Sequence, residues 1–585
     1  MLMPLCRALY LLTLVTLCSA QPAAAESWRI DGVERIVAIG DVHGAQDELA
    51  EILAAVGLID AERRWSGGRT HLVATGDLLD RGDFGRQVMD MLMRLEQEAA
   101  AAGGAVHLVL GNHEVMNLSS DLRYVSAGDY LQFGTEAVGG QPPGYFERRE
   151  ALAPDGPYGE WLLGRPVALV INDLLFVHGG VSGLLEGLSL EQINAAAASD
   201  LRRFLTGWQT LVEAGQLGEL DDFGLIRSKA ASLASSEADG ALQAAAADIG
   251  AALEGLPFHP DGPLWYRGTA LCHAYAEAPT TSKVLGQLGV RGVVIGHTVT
   301  QDRRISSRLA GKVFRIDTGM NRVAYGGIPS ALVIEGGQLT AHYAGEPGGA
   351  PRAEPSREWA RPYGMADAEL EQFLASADVV QSESHASGIR RLTLEQGDRR
   401  IQALFNSADS SPGLQQARRW KRAAERANRH VYELAAYRLD RILGLELVPV
   451  AVPRVIDGEA GTVQYWMPDT VSEDQRRRES IPISGYCSLT PQFKLMNVFD
   501  LLVLNVGRDE QSIRYTRDGQ LWLLGHSRAF GTGRGTLRGA DIELTAELSA
   551  MLDRVTPENL ESLRQWLHPR QVEALVSRAR WLQKR

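Results

Sequence analysis

Lysine is scarce in this chain: of 59 basic residues only six are lysines, and 53 are arginines. Cysteine is scarcer still, with four in 585 residues. Cys6 and Cys18 fall in the N-terminal apolar stretch, which leaves Cys272 and Cys487. Two cysteines this far apart could pair in an oxidising compartment, but they make no disulfide framework, and there is no Cys-x-x-Cys metal site. A Cys-x5-Arg nucleophile is missing as well. The adjacent Cys272 and His273 do not replace it, because neighbours in sequence rarely face each other productively. Positive charge is in deficit: the net charge of -13 excludes a basic nucleic-acid-binding surface as the main theme.

Long hydrophobic runs are also missing. The run from Ala8 to Leu17 is the most apolar, and it is shorter than the ~20 residues that span a bilayer. With Arg7 before it and Ala23-Ala24-Ala25 after it, it reads as an export signal over residues 1–25, cut after Ala25 or alternatively after Ala20. The bulky Leu17 before Cys18 argues against a lipoprotein anchor. The expectation is an exported protein, periplasmic or secreted, with no stable membrane span. What remains is ordinary for a folded chain, 45% hydrophobic and 22% charged. Its length is about four times the ~150 residues of one domain, so two or more domains are expected.

From Glu34 the sequence alternates short apolar runs with helical patterns, which predicts an α/β fold. Five runs read as buried strands: Ile36–Ile39, His71–Thr75, Val106–Leu110, Leu174–Val177 and Gly292–Ile295. An Ala-, Leu- and Glu-rich region at about 184–259 reads as a helical cap or lid inserted in a first unit of residues 30–345. Ser330–Ile334 and Gln338–Tyr343, flanking Glu335-Gly336-Gly337, predict a hairpin that closes this unit. The Gly- and Pro-rich stretch from Gly345 to Pro351 opens a linker expected over residues 346–358. Residues 359–585 are expected to form a second, α+β unit. It holds a long helix near Gln415–Leu443, a strand near Thr462–Met467, a helix near Thr490–Leu504 and a helical C-terminus.

The chemistry-bearing residues stand where the five strands end: Gly40-Asp41-Val42-His43-Gly44, Gly76-Asp77-Leu78-Leu79-Asp80-Arg81-Gly82, Gly111-Asn112-His113-Glu114, His178-Gly179-Gly180 and Gly296-His297-Thr298. A single Asp-x-His after a strand is usually a hydrogen-bonded turn. Five such segments at one edge of a sheet are a constellation. Its mixed nitrogen and oxygen donors are too oxygen-rich for a structural thiolate zinc site and suit a pair of divalent transition ions. Such a pair polarises a phosphate ester and acidifies water. His71 and His107 lie inside predicted strands, where packing with one satisfied hydrogen bond is expected.

The order GDVHG, GDLLDRG, GNHE, HGG, GHT resembles the phosphoprotein phosphatase family of the calcineurin-like metallophosphoesterases. Pro263-Leu264-Trp265-Tyr266-Arg267-Gly268 and Asp317-Thr318-Gly319-Met320 are similar to its Shewanella-like branch. The resemblance covers about residues 34–345 and implies a metallophosphoesterase β-sandwich flanked by helices. It implies two divalent ions, Mn, Fe or Zn. Asp41 and His43 would hold the first, Asp77 would bridge, and Asn112, His178 and His297 would hold the second. His113, oriented by Asp80, would protonate the leaving oxygen, and Arg81 and Arg267 would grip the phosphoryl group. Asp317-Thr318-Gly319-Met320 stands where eukaryotic members share Ser-Ala-Pro-Asn-Tyr, so eukaryotic inhibitor sensitivity and partner-subunit recognition are not expected to carry over.

The second unit resembles atypical kinase-like folds more faintly, through Tyr432–Asp440, Asn505-Val506-Gly507-Arg508 and Leu521–Phe530. Gly507 stands in place of the catalytic Asp, Ser512 and Gly525 in place of the metal-binding Asn and Asp, and Asn406 in place of the nucleotide-gripping Lys. Glu433, that Lys's expected partner, remains. Phosphoryl transfer needs those carboxylates, so a non-catalytic, pseudokinase-like module that binds a protein or a nucleotide is expected. The whole then reads as an exported metal-dependent phosphomonoesterase acting on phosphorylated proteins or peptides (Ser/Thr or Tyr), with no nucleic-acid partner. The rivals are a hydrolase of small phosphorylated molecules or dinucleoside polyphosphates, and a non-enzymatic scaffold working through its C-terminal unit.

Overall fold

The computed structural model describes residues 28–584 apart from 237–239, 354–364, 387, 411–427, 483–485, 506–507, 518, 534–541 and 543. The export signal, both of its cut sites and Gly507 lie outside the described residues. Among the described residues, no helix is long and apolar enough to cross a membrane.

The first unit is a sandwich of two sheets. One runs, in spatial order, Glu346–Gly349, Gln338–Tyr343, Ser330–Glu335, Arg35–Ile39, His71–Ala74, Ala105–Leu108. The other runs Arg29–Ile30, Ala168–Ile171, Leu174–Val177, Gly292–Ile295, Val313–Arg315, Ser306–Arg308, Arg352–Ala353. All five expected strands are present. Their continuous apolar character has a direct cause. Alternate residues point to opposite faces, and both faces are covered. Ile36, Ala38 and Val73 meet Phe176, Val294 and Phe314 between the sheets, and Val37, Ile39, Leu72 and Ala74 pack outward with the helices. Helix Gly85–Ala101 supplies Val88, Leu92, Leu95 and Ala99 to that outer layer, one stripe at helical spacing.

The expected hairpin forms with Glu335 opposite Gln338, so Gly336 and Gly337 alone make the turn. Both have positive φ, 57° and 81°, as a tight primed turn requires. The helical insert is Leu190–Glu213, Phe223–Ala234 and Gly240–Leu253. Ile193, Phe204 and Leu211 are buried in the main core, so the insert is a packed cap rather than a hinged lid.

The linker expectation needs correction. Glu346–Gly349 pairs with Gln338–Tyr343, and Arg352–Ala353 pairs in parallel with Ser306–Arg308, so the chain leaves the unit as extra edge strands. Edge strands tolerate Gly and Pro because one row of backbone groups needs no ladder partner.

The second unit has its own core, from Met365 to Leu582. A five-stranded antiparallel sheet (Asp378–Ala386, Ile389–Gln396, Arg399–Asn406, Glu459–Tyr465 and Ala451–Ile456) leads into helices Leu489–Val503, Ala546–Leu552 and Pro569–Leu582. The first two strands of that sheet carry little hydrophobic signal: Asp378–Ala386 is polar and largely exposed, and Ile389–Gln396 buries only Leu392, Thr393 and Leu394 among polar neighbours. The helix expected near Gln415–Leu443 needs correction: it runs over Val431–Leu443, Asn428–Arg429 before it is a short strand paired with Asp409–Ser410, and residues 411–427 lie outside the described residues. Helix Ala274–Leu288 of the first unit packs against Leu489–Val503 and Ala546–Leu552, and a Cys272–Cys487 disulfide joins the two units.

Candidate metal centre

The loops after the strands are held open by unusual backbone. His43, Asp77, Asp80, Arg81 and His297 all have positive φ, between 46° and 70°. Non-glycine residues reach this region only where the surroundings over-determine it, which is characteristic of functional sites. Glycine permits the close approach beside them. A Cβ on Gly111 would fall 2.2 Å from Asp77 Oδ1, and one on Gly76, at φ 97°, would fall 2.4 Å from Gly111 N.

Glu114 ties these loops together. Its buried carboxylate accepts hydrogen bonds from the amides of Asp77 (2.8 Å), Leu78 (2.8 Å) and Gly111 (2.9 Å). In the sequence Glu114 is the last residue of Gly111-Asn112-His113-Glu114 and carries no role of its own. Its signal was its place at the third residue of the helix Asn112–Leu118, where a carboxylate reaches back to backbone amides.

The expected donors converge. Asp77 Oδ2 lies 3.6 Å from His43 Nε2 and 3.2 Å from His178 Nε2. His43 Nε2 lies 3.9 Å from Asp41 Oδ2. On the other side His178 Nε2 lies 3.0 Å from Asn112 Oδ1 and 3.1 Å from His297 Nδ1. The donor atoms of Asp77, His178 and His297 lie within 4.8 Å of one another, as do those of His43, Asp77 and His113. Each imidazole that faces the centre is steadied through its far nitrogen: His43 Nδ1 at 2.9 Å from the Leu79 carbonyl, His178 Nδ1 at 2.8 Å from that of Thr75, and His297 Nε2 at 3.2 Å from that of Trp265. Such backing fixes the ring and its tautomer for ligation. The buried nitrogen and carboxylate donors around one shared oxygen therefore fit divalent ions.

The electrostatics agree. Burial pushes Asp41 up, and holds His43 down at about 4 and His297 well below its ordinary value. Burial works against the Asp77 carboxylate too, but His178, His113 and His43 around it keep it ionised. A site that disfavours imidazolium and concentrates carboxylate is prepared for cations.

His113 differs from the other imidazoles. Its Nδ1 contacts Asp80 Oδ2 at 2.6 Å, and its Nε2 lies 3.9 Å from Asp77 Oδ2. Burial opposes its charge, yet Asp77 and Asp80 raise its pKa. Asp80 is held in turn by Asn117 Nδ2 at 3.0 Å, with the buried Arg148 guanidinium 3.9 Å away. Arg81 stands at the surface with its guanidinium over the rings of Tyr124 (4.6 Å) and Tyr325 (5.5 Å). Arg267 donates through Nη1 to the His297 carbonyl (2.7 Å) and to Thr298 Oγ1 (3.1 Å).

Two residues at the centre carried no assigned role. Asp317 is fully buried beside Asp41, and burial pushes its carboxyl up to about 6. Asn321 donates from Nδ2 to the His43 carbonyl at 2.8 Å. Their signal is the segment Asp317-Thr318-Gly319-Met320 with the Asn321 that follows it, a segment similar to the Shewanella-like branch whose residues carried no individual role. Outside the centre, His71 Nδ1 and His107 Nε2 meet at 3.0 Å, so the two strand histidines satisfy each other.

Residues 34–301 match the family model of the calcineurin-like phosphoesterases, and this part of the chain is a metallophosphoesterase domain of that family. Its homologues include Shewanella-like protein phosphatases. The chain is 29% identical to Shewanella-like protein phosphatase 2 of Arabidopsis thaliana over 340 residues, 52% of this chain and 76% of that one. It is 26% identical to Shewanella-like protein phosphatase 1 of Plasmodium berghei over 290 residues, 49% of this chain and 67% of that one. Among solved structures it is similar to the cold-active protein-tyrosine phosphatase of a psychrophilic Shewanella species, at 27% identity and a TM-score of 0.40, covering 55% of this chain and 82% of that one. The family match and the donor set imply divalent metals, and the Shewanella-like phosphatase relatives support a phosphatase.

In the second unit, Asn406, Glu433, Ser512 and Gly525 line one open cleft. Glu433 Oε1 accepts from the amides of His526 (2.9 Å) and Ser527 (3.0 Å), and Asn406 Oδ1 accepts from the Ala408 amide (3.0 Å).

Proposed function

We propose that this chain is an exported two-metal phosphomonoesterase that removes phosphate from phosphorylated proteins or peptides by direct attack of water. The observation that carries the reading is Asp77, whose one carboxylate oxygen lies between the His43 side and the His178 side of a buried donor set. Asp41, His43 and Asp77 would hold one divalent ion, and Asp77, Asn112, His178 and His297 the other, with Mn, Fe or Zn suited to such donors. Bound there, the ions supply Lewis-acid polarisation of the phosphoryl oxygens and a lowered pKa for water.

The chain's own residues do the rest. Arg81 and Arg267 grip phosphoryl oxygens, for which planar guanidinium forks are suited. His113, charged through Asp80 and Asp77, holds a proton at Nε2 and gives it to the departing oxygen. Asp80 accepts from Nδ1 and so leaves Nε2 as the end that faces substrate. No covalent phosphoenzyme is needed.

Two features support the wider reading. The Cys272–Cys487 disulfide suits an oxidising compartment, consistent with export. In the second unit, four positions of the kinase-like pattern share one cavity, and Asn406, Ser512 and Gly525 bring it neither the lysine nor the metal-binding carboxylate. This favours a non-catalytic, pseudokinase-like module.

The test is metal analysis of pure protein followed by turnover of a phosphopeptide panel beside dinucleoside polyphosphates. The expected result is about two divalent ions per chain and release of phosphate from phosphopeptides. Turnover of the dinucleoside polyphosphates alone would transfer the activity to small phosphorylated molecules. No turnover of any phosphoester by metal-loaded protein would leave a binding protein. N-terminal sequencing of mature protein from the extracytoplasmic fraction should begin after Ala25 or Ala20.

A further inference from the structure

The second unit touches the catalytic one at a chemically pointed place. Arg267 caps a short helix, Gly268–Leu271, that ends at Cys272. Every carbonyl named along that helix and its end is claimed. Arg308 donates to Thr269 O (2.7 Å) and Cys272 O (2.5 Å), Arg315 to Ala270 O (3.0 Å), and Gln520 of the second unit to Leu271 O (3.2 Å). Cys272 is bonded to Cys487, and Gln520 Nε2 also lies 2.7 Å from the Cys487 sulfur.

The residue before Cys487 is Tyr486. Its ring is covered by the Arg267 guanidinium at 5.5 Å, while 48% of the residue stays exposed. Arg267 itself reaches the metal-centre loop through the His297 carbonyl and Thr298. A half-exposed tyrosine, delivered by another unit and fastened one residue away by a covalent bond, thus stacks on a guanidinium at the edge of the donor cluster.

We propose that Tyr486 is a positioning residue for phosphate binding. The second unit supplies it across the interface, and the Cys272–Cys487 bond holds it in register over Arg267. The ring limits the room open to the guanidinium, with Nη1 anchored on the loop of His297 and the rest of the fork left for phosphoryl oxygens. A long side chain held this way loses less freedom when substrate arrives, and stacking on an aromatic face favours the planar cation. The catalytic pocket is then built by both halves of the chain. The inference rests on the phosphatase reading above.

The experiment uses the full-length, metal-loaded protein and p-nitrophenyl phosphate, with inorganic phosphate binding followed by calorimetry. Tyr486→Ala should raise KM and weaken phosphate binding by about three- to tenfold, the range expected for a lost cation–aromatic stack. Its kcat, metal content and melting temperature should stay near the parent's. Tyr486→Phe, which keeps the ring, should behave as the parent. Arg267→Ala should raise KM further, and adding Tyr486→Ala to it should change nothing more, because the two residues act through one contact. The paired Cys272→Ser and Cys487→Ser variant should reproduce the Tyr486→Ala effect.

Parent-like KM and phosphate affinity in Tyr486→Ala would overturn the proposal, as would full additivity with Arg267→Ala. If the parent itself neither turned over the aryl phosphate nor bound phosphate, the phosphatase reading would fall first.

Discussion

Nδ1 of His113 lies 2.6 Å from Oδ2 of Asp80, while the other nitrogen of the same ring faces Asp77 across 3.9 Å. One imidazole is thereby fastened by one carboxylate, and two carboxylates raise its pKa against burial, which suits a proton donor better than a metal ligand. His113→Asn should keep its bound metal and lose about 10²–10⁴-fold in kcat. Elemental analysis beside steady-state kinetics checks this. Loss of metal together with activity would instead place His113 among the ligands. Asp80→Asn should lose activity in the same direction, because an amide cannot charge the ring.

Removing Asp77 should behave differently. Its carboxylate is the one donor common to both groups, so Asp77→Ala is expected to lower metal content on both sides of the centre and abolish turnover. His178→Ala and His297→Ala should lower it on one side. Metal-to-protein ratios after dialysis distinguish the cases, and chelation of the parent should reproduce the Asp77→Ala phenotype reversibly.

Arg81 offers a test of phosphoryl binding separate from the metals. Its guanidinium is stacked on Tyr124 and stands at the surface end of the centre. Arg81→Ala should raise KM for aryl phosphate by about tenfold or more with metal content unchanged. Arg81→Lys should recover little, since an ammonium neither stacks nor bonds bidentately in the same way.

Stability should carry a pH signature from a carboxyl away from the metals. Glu277 accepts from the Tyr266 hydroxyl at 2.9 Å, and burial pushes its pKa from 4.5 up to about 7. The folded state therefore binds this proton more tightly than the unfolded one. Its contribution is complete below pH 4.5 and is lost as pH rises toward 7, a difference of about 3 kcal/mol. Glu277→Gln should flatten the dependence of melting temperature on pH across that window and stabilise the protein above it. An unchanged slope would mean that Glu277 is ionised in the folded state.

Much of this protein is written locally. The five strands are continuous apolar runs because both of their faces are buried, and such runs need no knowledge of the fold to be recognised. The donor residues of the centre are legible for a related reason. Loops that must turn within one or two residues of a strand need glycine, and glycine beside Asp, Asn and His at five strand ends is a pattern in the chain itself. The hairpin at Gly336-Gly337 is fixed by its turn alone. The edge strands after Gly345 and the polar edge strand Asp378–Ala386 were not legible, because an edge or an exposed sheet face leaves no periodic apolar signal, and in Ile389–Gln396 only Leu392 and Leu394 mark the buried face, too short a pattern to read.

Tertiary structure decided which of the strand-end residues share an oxygen, that Glu114 gathers three backbone amides, and that Asp317 comes to lie against Asp41 from 276 residues away. It also decided that Tyr486 meets Arg267 and Cys487 meets Cys272. A sequence specifies the local turns and periodicities that its own neighbours enforce. Contacts between distant segments depend on how the sheets stack and the two units dock, and no short stretch of chain encodes that.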